Sequence, residues 1–253
     1  MLNIRTRNLI VIDIETVSEY NSFSIMPAEW QEVWREKTER ILPEGVDADT
    51  FYQKRAGIMA EFGKVICICV GYFDDDMHGA FKIQSFAAAD EKEMLKAFIA
   101  AMNKLFNRNS KSCFAGHNIK EFDIPFLCRR MLINDLVIPP YLDFQHMKPW
   151  ETNIVDTFQY WRFGDYKNYT SLHLLAIAMK VPTSKQDMDG SMVGELYWND
   201  NDEKQNLLRI MDYCCQDVIA TANIILRFKH KELLDPDMIQ YEKSPVACTG
   251  PSN

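Results

Sequence analysis

Two acids stand where acids are costly. Residues 8–14, NLIVIDI, are apolar at nearly every position, as in a strand covered on both faces, yet the run carries Asp13 and leads into Glu15. Residues two apart on a strand share a face, so both carboxylates project together. Side by side they repel and lose hydration, at a cost on the order of several kcal/mol unless something cationic pairs with them. A divalent ion, which prefers hard oxygen ligands, is the economical partner. The alternative is a pair that faces solvent at the strand end or accepts loop N–H bonds. Other acid-x-acid pairs, among them Asp74/Asp76, Glu91/Glu93, Asp187/Asp189, Asp200/Asp202 and Asp235/Asp237, lie among polar or turn residues, where hydrated carboxylates cost nothing.

Two further segments carry acids in suggestive places. In GHNIKEFDIPFL (116–127), Asp123 precedes a helix-like run with Pro125 in its first turn, which reads as an N-cap or as a site acid. Asn118 reads as a turn residue at a strand end. In DYCCQDV (212–218), Tyr213 and Asp217 are four apart and share one helical face. Aspartate is a poor helix former, and Asp217 interrupts a mostly apolar surface. It is a surface residue or a second arm of a site.

The elements that must position these residues follow from periodicity. Strands are expected at 8–14, 63–73, 80–88, 112–118 and 152–158. Asp90 caps a helix over 91–106, and further helices are expected at 124–135, 171–180 (stopped before Pro182) and about 203–230. Three successive strands followed by alternating helices and strands indicate an α/β fold, a mixed sheet with helices packed on it. Residues 17–62 interrupt this order and read as a helical insert with helices near 27–41 and 49–62. There Trp30 and Trp34 stand one turn apart, for packing or as a substrate wedge. Residues 1–242 are expected to form one domain, and 243–253 a flexible tail.

Composition narrows the class. The chain has 253 residues, 47% hydrophobic and 25% charged, enough for a full core without staples. The best apolar run, VICICVGYF, falls far short of the ~18 residues that cross a bilayer. The first residues place Asp13 and Glu15 where a signal peptide would be apolar. A membrane or secreted protein is therefore not expected, and the cytoplasm is. Seven cysteines, odd in number and without a C-x-x-C pair, read as buried reduced thiols. A net charge of −8 argues against coating long duplexes, but not against holding a few nucleotides through metal ions.

Taken together and in order, the three segments resemble the Exo I, II and III motifs of the DEDD superfamily of 3′–5′ exonucleases. The nearest likeness is to the proofreading exonuclease domain of family-B DNA polymerases, in a stand-alone version. IDIET matches the first motif, GHNIKEFDIPFL the second, and YCCQD the third in its tyrosine form; the histidine form would need His at 212, which is Asp. KNYTSLHLLA also resembles the polymerase domain's stretch leading into a helix. The likeness covers about residues 8–230, and no polymerase domain is expected because so little follows.

The resemblance implies a ribonuclease-H-like fold and a metal-dependent 3′–5′ exonuclease acting on single-stranded DNA or RNA 3′ ends. It implies two ions, Mg²⁺ or Mn²⁺, with Asp13 bridging both, Glu15 and Asp217 completing the site, and Asp123 acting on the second ion through water. Tyr213 would bond the attacking water or scissile phosphate. Glu15 and the Thr16 backbone would meet the terminal sugar hydroxyl. His117, Asn118 and Phe122 would approach substrate, His117 having a structural hydrogen bond as its alternative. Asp156 is taken as structural; Lys120, Arg162 and Lys167 could meet phosphates. A catalytically silent binding module and an endonuclease on the same fold remain the competing readings.

Overall fold

The computed structural model describes residues 4–74, 79–148, 151–183, 190–199 and 202–242. The expected tail, 243–253, and residues 75–78, between the second and third expected strands, lie outside them. Six strands form one mixed sheet. They are β1 (Leu9–Ser18), β2 (Gly63–Asp74), β3 (Ala80–Ala87), β4 (Cys113–Gly116), β5 (Ile154–Asp156) and β6 (Ile239–Tyr241), in the order β5-β4-β1-β2-β3-β6. β1, β2 and β3 are antiparallel neighbours, whereas β4 runs parallel to β1, β5 to β4 and β6 to β3.

The apolar run of β1 is covered on both faces. Ile10, Ile12 and Ile14 pack with Phe98 and Met102 of α3 (Glu91–Arg108) and with Leu127 and Met131 of α4 (Asp123–Ile133). Leu9, Val11 and Val17 pack on the other face with Cys214, Val218 and Ala222 of α8 (Glu203–Phe228). Asp90 caps α3 by accepting from Glu93 N at 3.1 Å, and Asp202 caps α8 from Gln205 N at 3.1 Å, each contact worth about 1 kcal/mol. Asp13 and Glu15 follow Val11 at intervals of two and alternate with Ile12 and Ile14, so they belong to the α8 face.

β1 runs four residues beyond the expected 8–14, to Ser18. At Glu15/Thr16 its register against β2 slips, Glu15 facing Cys67 and Thr16 facing Val65, so Ile66 has no partner opposite. Such a bulge bends a strand locally and re-aims its side chains. The insert then forms α1 (Ala28–Thr38) and α2 (Ala48–Arg55). Trp34 is fully buried against Phe51, Tyr52 and Phe62, with its ring 4.9 Å from that of Phe62. Trp30 meets the edge of Phe62 but is 41% exposed. Packing is thus what Trp34 does.

Arg130 of α4 ties this insert to the body. Its guanidinium donates to Glu91 of α3 at 2.9 Å, to Glu19 at 2.9 Å and to the Ala60 carbonyl at 3.0 Å. The strand expected at 152–158 is only β5, because Asp156 caps a short helix, α5 (Thr157–Arg162), through Phe158 N and Gln159 N. α6 (Leu172–Ala178) falls within its expected range, while α7 (Val193–Tyr197) and β6 have no counterpart in the sequence reading. Among the described residues, no helix is long and apolar enough to cross a membrane.

Candidate active site

β1 and β4 pair only from Leu9 to Val11, and beyond that the two strands part. Gly116, which ends β4, has no room for a side chain: a Cβ there would lie 2.1 Å from Ile119 Cγ2 and 2.9 Å from the Ile12 carbonyl. The chain then turns through Asn118, in the left-handed region at φ 63°, and enters α4. This brings the helix start against the open edge of β1. Asp123 is the first residue of α4 rather than its N-cap. Its Oδ1 accepts from the N–H of Ile14 at 3.2 Å, across 109 residues of chain, and the carboxylate is 4% exposed.

From the other side α8 supplies Cys214, whose thiol lies 3.4 Å from both Oδ2 and the carbonyl of Asp13. Asp13, Glu15 and Cys214 each offer one ligand atom within 4.8 Å of the others, a group able to hold a metal ion. Asp217, one helical turn on, completes the convergence. Burial, then the charges of Asp123, Asp217 and Glu15, push the Asp13 carboxyl well above the usual range. Glu15, 8% exposed, is raised by burial and then by Asp217 and Asp123. Asp123 rises to about 7 through burial, against the pull of its own N–H and that of Ile14. Among the described residues, no positive side chain figures among the causes of these shifts.

Buried acids that repel one another without a counter-cation are what a divalent ion would relieve. The donor set fits that ion: carboxylate oxygens with one thiol at the rim. Tyr213 is half-buried and hydrogen-bonded to Asp217. Burial and then the charges of Asp217, Glu15 and Asp13 raise its phenol far beyond its ordinary value, so it stays protonated.

The structure therefore brings together Asp13, Glu15, Asp123, Tyr213 and Asp217. Around them, the Thr16 hydroxyl donates to the Gly57 carbonyl at 2.6 Å, anchoring the insert beside Glu15. Phe122 packs 5.5 Å from Phe126 at the head of α4. His117 is used up: its Nδ1 meets Thr157 Oγ1 and its Nε2 the Thr170 carbonyl, each at 2.9 Å. The expectation that it approaches substrate finds no ring nitrogen left, and its structural alternative is the one the geometry fits. Asn118 donates its N–H to Asp156, while its side-chain Oδ1 is buried with no partner among the described residues. Asp156 accepts from Asn118, Lys120, Phe158 and Gln159 N–H groups, the structural role expected of it.

Two features escaped the sequence reading. Cys214 passed as an ordinary buried thiol, though its i,i+3 spacing to Asp217 on the helix was a usable sign. The second is an aromatic surface after α5. Phe163 is 84%, Tyr166 79% and Tyr169 65% exposed. The guanidinium of Arg162 lies 4.0 Å from the Phe158 ring and 5.5 Å from that of Tyr166, and it pairs with Glu121. Tyr169 packs edge-on 4.9 Å from the Phe158 ring, and burial and then the charges of Asp123 and Asp156 raise its phenol. A cavity of about 700 Å³, lined by Arg5, Arg7, Arg108 and Lys111 among others, opens at the opposite end of the central strands, where β1 begins. It has no part in the acid cluster.

A protein-family model described as a predicted 3′–5′ exonuclease related to the exonuclease domain of PolB matches residues 58–247. That span includes Asp123, Tyr213 and Asp217, and β1 precedes it. Comparison with curated protein sequences gives no match. Among solved structures, the family B DNA polymerase from the hyperthermophilic archaeon Pyrobaculum calidifontis shares the fold, with a TM-score of 0.52 and 18% identity over 87% of this chain. A product-bound exonuclease I aligns with a TM-score of 0.45 and 12% identity over 90% of the chain. The chain spans only 24% of the polymerase and 44% of the exonuclease I chain.

Proposed function

We propose that this chain, which belongs to the family of predicted 3′–5′ exonucleases related to the exonuclease domain of PolB, is a metal-dependent enzyme that removes nucleoside 5′-monophosphates from single-stranded 3′ ends. The observation that carries the metal dependence is the convergence of four acids from β1, α4 and α8, of which Asp13 and Glu15 are raised by burial and by the charges of the others, and Asp123 chiefly by burial. Asp13, Glu15, Asp217 and Asp123 are the residues that would hold two divalent ions, Mg²⁺ or Mn²⁺. When bound, such ions supply charge neutralisation at the phosphoryl oxygens and a water of lowered pKa.

The protein's own groups then have defined tasks. Asp123 has one oxygen fixed by Ile14 N–H, which holds the second in place. Tyr213, kept protonated, acts as a hydrogen-bond donor to the scissile phosphate or the attacking water and not as a base. Glu15 and the backbone at Thr16 read the free sugar hydroxyl at the strand end. Phe163, Tyr166 and Tyr169 offer exposed rings on which successive bases stack, a contact indifferent to sequence.

The test is a 5′-labelled oligonucleotide, in matched DNA and RNA forms, incubated with Mg²⁺ or Mn²⁺. A stepwise ladder, lost in Asp13→Ala and in Asp217→Ala and slowed roughly 10²-fold in Tyr213→Phe, is expected. A ladder that persists in both aspartate variants refutes the reading.

A further inference from the structure

The sequence alone offered oxygen donors only; the fold adds a sulfur. We infer that Cys214 gives the acid cluster a thiolate arm, so that Asp13, Glu15 and Cys214 form a site for a thiophilic divalent cation of the zinc and cadmium class. This deepens the proposed metal dependence and rests on it only in sharing Asp13 and Glu15.

A tetrahedral ion bound about 2.3 Å from a sulfur and about 2.0–2.2 Å from a carboxylate oxygen holds those two atoms roughly 3.5 Å apart. Cys214 Sγ and Asp13 Oδ2 already stand at 3.4 Å, with a Glu15 oxygen within 4.8 Å of both. Cys214 has no exposed surface, so the arrangement needs no surface side chain to be ordered. Mg²⁺ takes oxygen ligands and leaves the thiol protonated, donating to Asp13. A soft ion instead displaces that proton to solvent and binds the sulfur in its place. Traces of zinc would thus compete with the ions that support hydrolysis, through a contact that those ions do not make. The neighbouring thiols adjoin this group and are its competitor for a soft ion: Cys214 is also hydrogen-bonded to Cys67 and Cys69, and Cys69 faces Cys215 at 3.1 Å between sulfurs, on the same face of the sheet.

The experiment titrates Cd²⁺ into the reduced full chain and follows the ultraviolet cadmium–thiolate charge-transfer band in wild type, Cys214→Ser, Asp13→Asn and Cys69→Ser. The band is expected in wild type and in Cys69→Ser, absent in Cys214→Ser, and shifted to at least about tenfold higher Cd²⁺ in Asp13→Asn. A band that survives Cys214→Ser, or that ignores Asp13→Asn and vanishes with Cys69→Ser, overturns the inference and assigns the ion to the thiol group. Should Cys214→Ser fail to fold by circular dichroism, the Asp13→Asn and Cys69→Ser arms decide. The readout is independent of cleavage. Mn²⁺-supported hydrolysis without the band removes this inference alone, and the band without hydrolysis removes the exonuclease reading alone.

Discussion

Stripped of divalent ions by a chelator, the folded chain carries Asp123 as an acid with a pKa of about 7 against an ordinary 3.8. A carboxyl raised on folding holds its proton more tightly in the native state. Its contribution is therefore fully present below about pH 4 and is lost as the pH climbs towards 7. The gap is about three pH units, and at ~1.36 kcal/mol per unit it amounts to about 4 kcal/mol. For a protein of this size that is roughly 8–16 °C in melting midpoint. Asp123→Asn keeps an acceptor for the Ile14 N–H and cannot ionise. The assay compares melting of wild type and Asp123→Asn in chelator from pH 4 to pH 8. The two should melt together at the acid end, with the variant gaining steadily up to about pH 7 and then levelling off. A difference that does not change with pH refutes the claim that this carboxylate is buried without a counter-charge.

Further outcomes follow from single contacts. Asp156→Ala strands four backbone N–H groups around the second motif and should cost roughly 3–5 kcal/mol in urea unfolding; an unchanged midpoint would contradict the capping role. Gly116→Ala forces a Cβ against Ile119 and the Ile12 carbonyl and should destabilise by about 1–3 kcal/mol, read by the same unfolding curve. Tyr166→Ala removes an exposed ring, and loss of one stacked base should raise KM for an oligonucleotide by roughly 5- to 100-fold while leaving kcat in place; a change in kcat alone would count against stacking there.

What was legible in the sequence is what local periodicity encodes. Asp13 with Glu15 shares a strand face and Tyr213 with Asp217 a helical one, and both pairs could be read from spacing of two and four. The helices α3 and α8 were equally plain, each from a long apolar stripe and α3 also from its aspartate cap. Long-range contacts were not legible. Asp123 looks like a cap until its bond to Ile14, 109 residues away, is known. β1 extends to Ser18 because β2 pairs with it, although Glu15, Thr16 and Ser18 are polar. β6 is three residues that pair, among the described strands, with β3, and β5 is cut short because Asp156 turns the chain into a helix. Cys214 acquires its meaning from a strand two hundred residues earlier.

α4 is fastened at both ends. Asp123 grips the backbone of β1 at its first residue, and Arg130, two turns on, clasps Glu91, Glu19 and the Ala60 carbonyl. The helix cannot slide along the sheet without breaking one clasp or the other. One wall of the acid cluster is thus already standing when the chain has folded, and a cation or strand end that enters has little left to arrange on that side. Any adjustment to an incoming ligand falls to α8, which carries Tyr213 and Asp217 on the opposite wall.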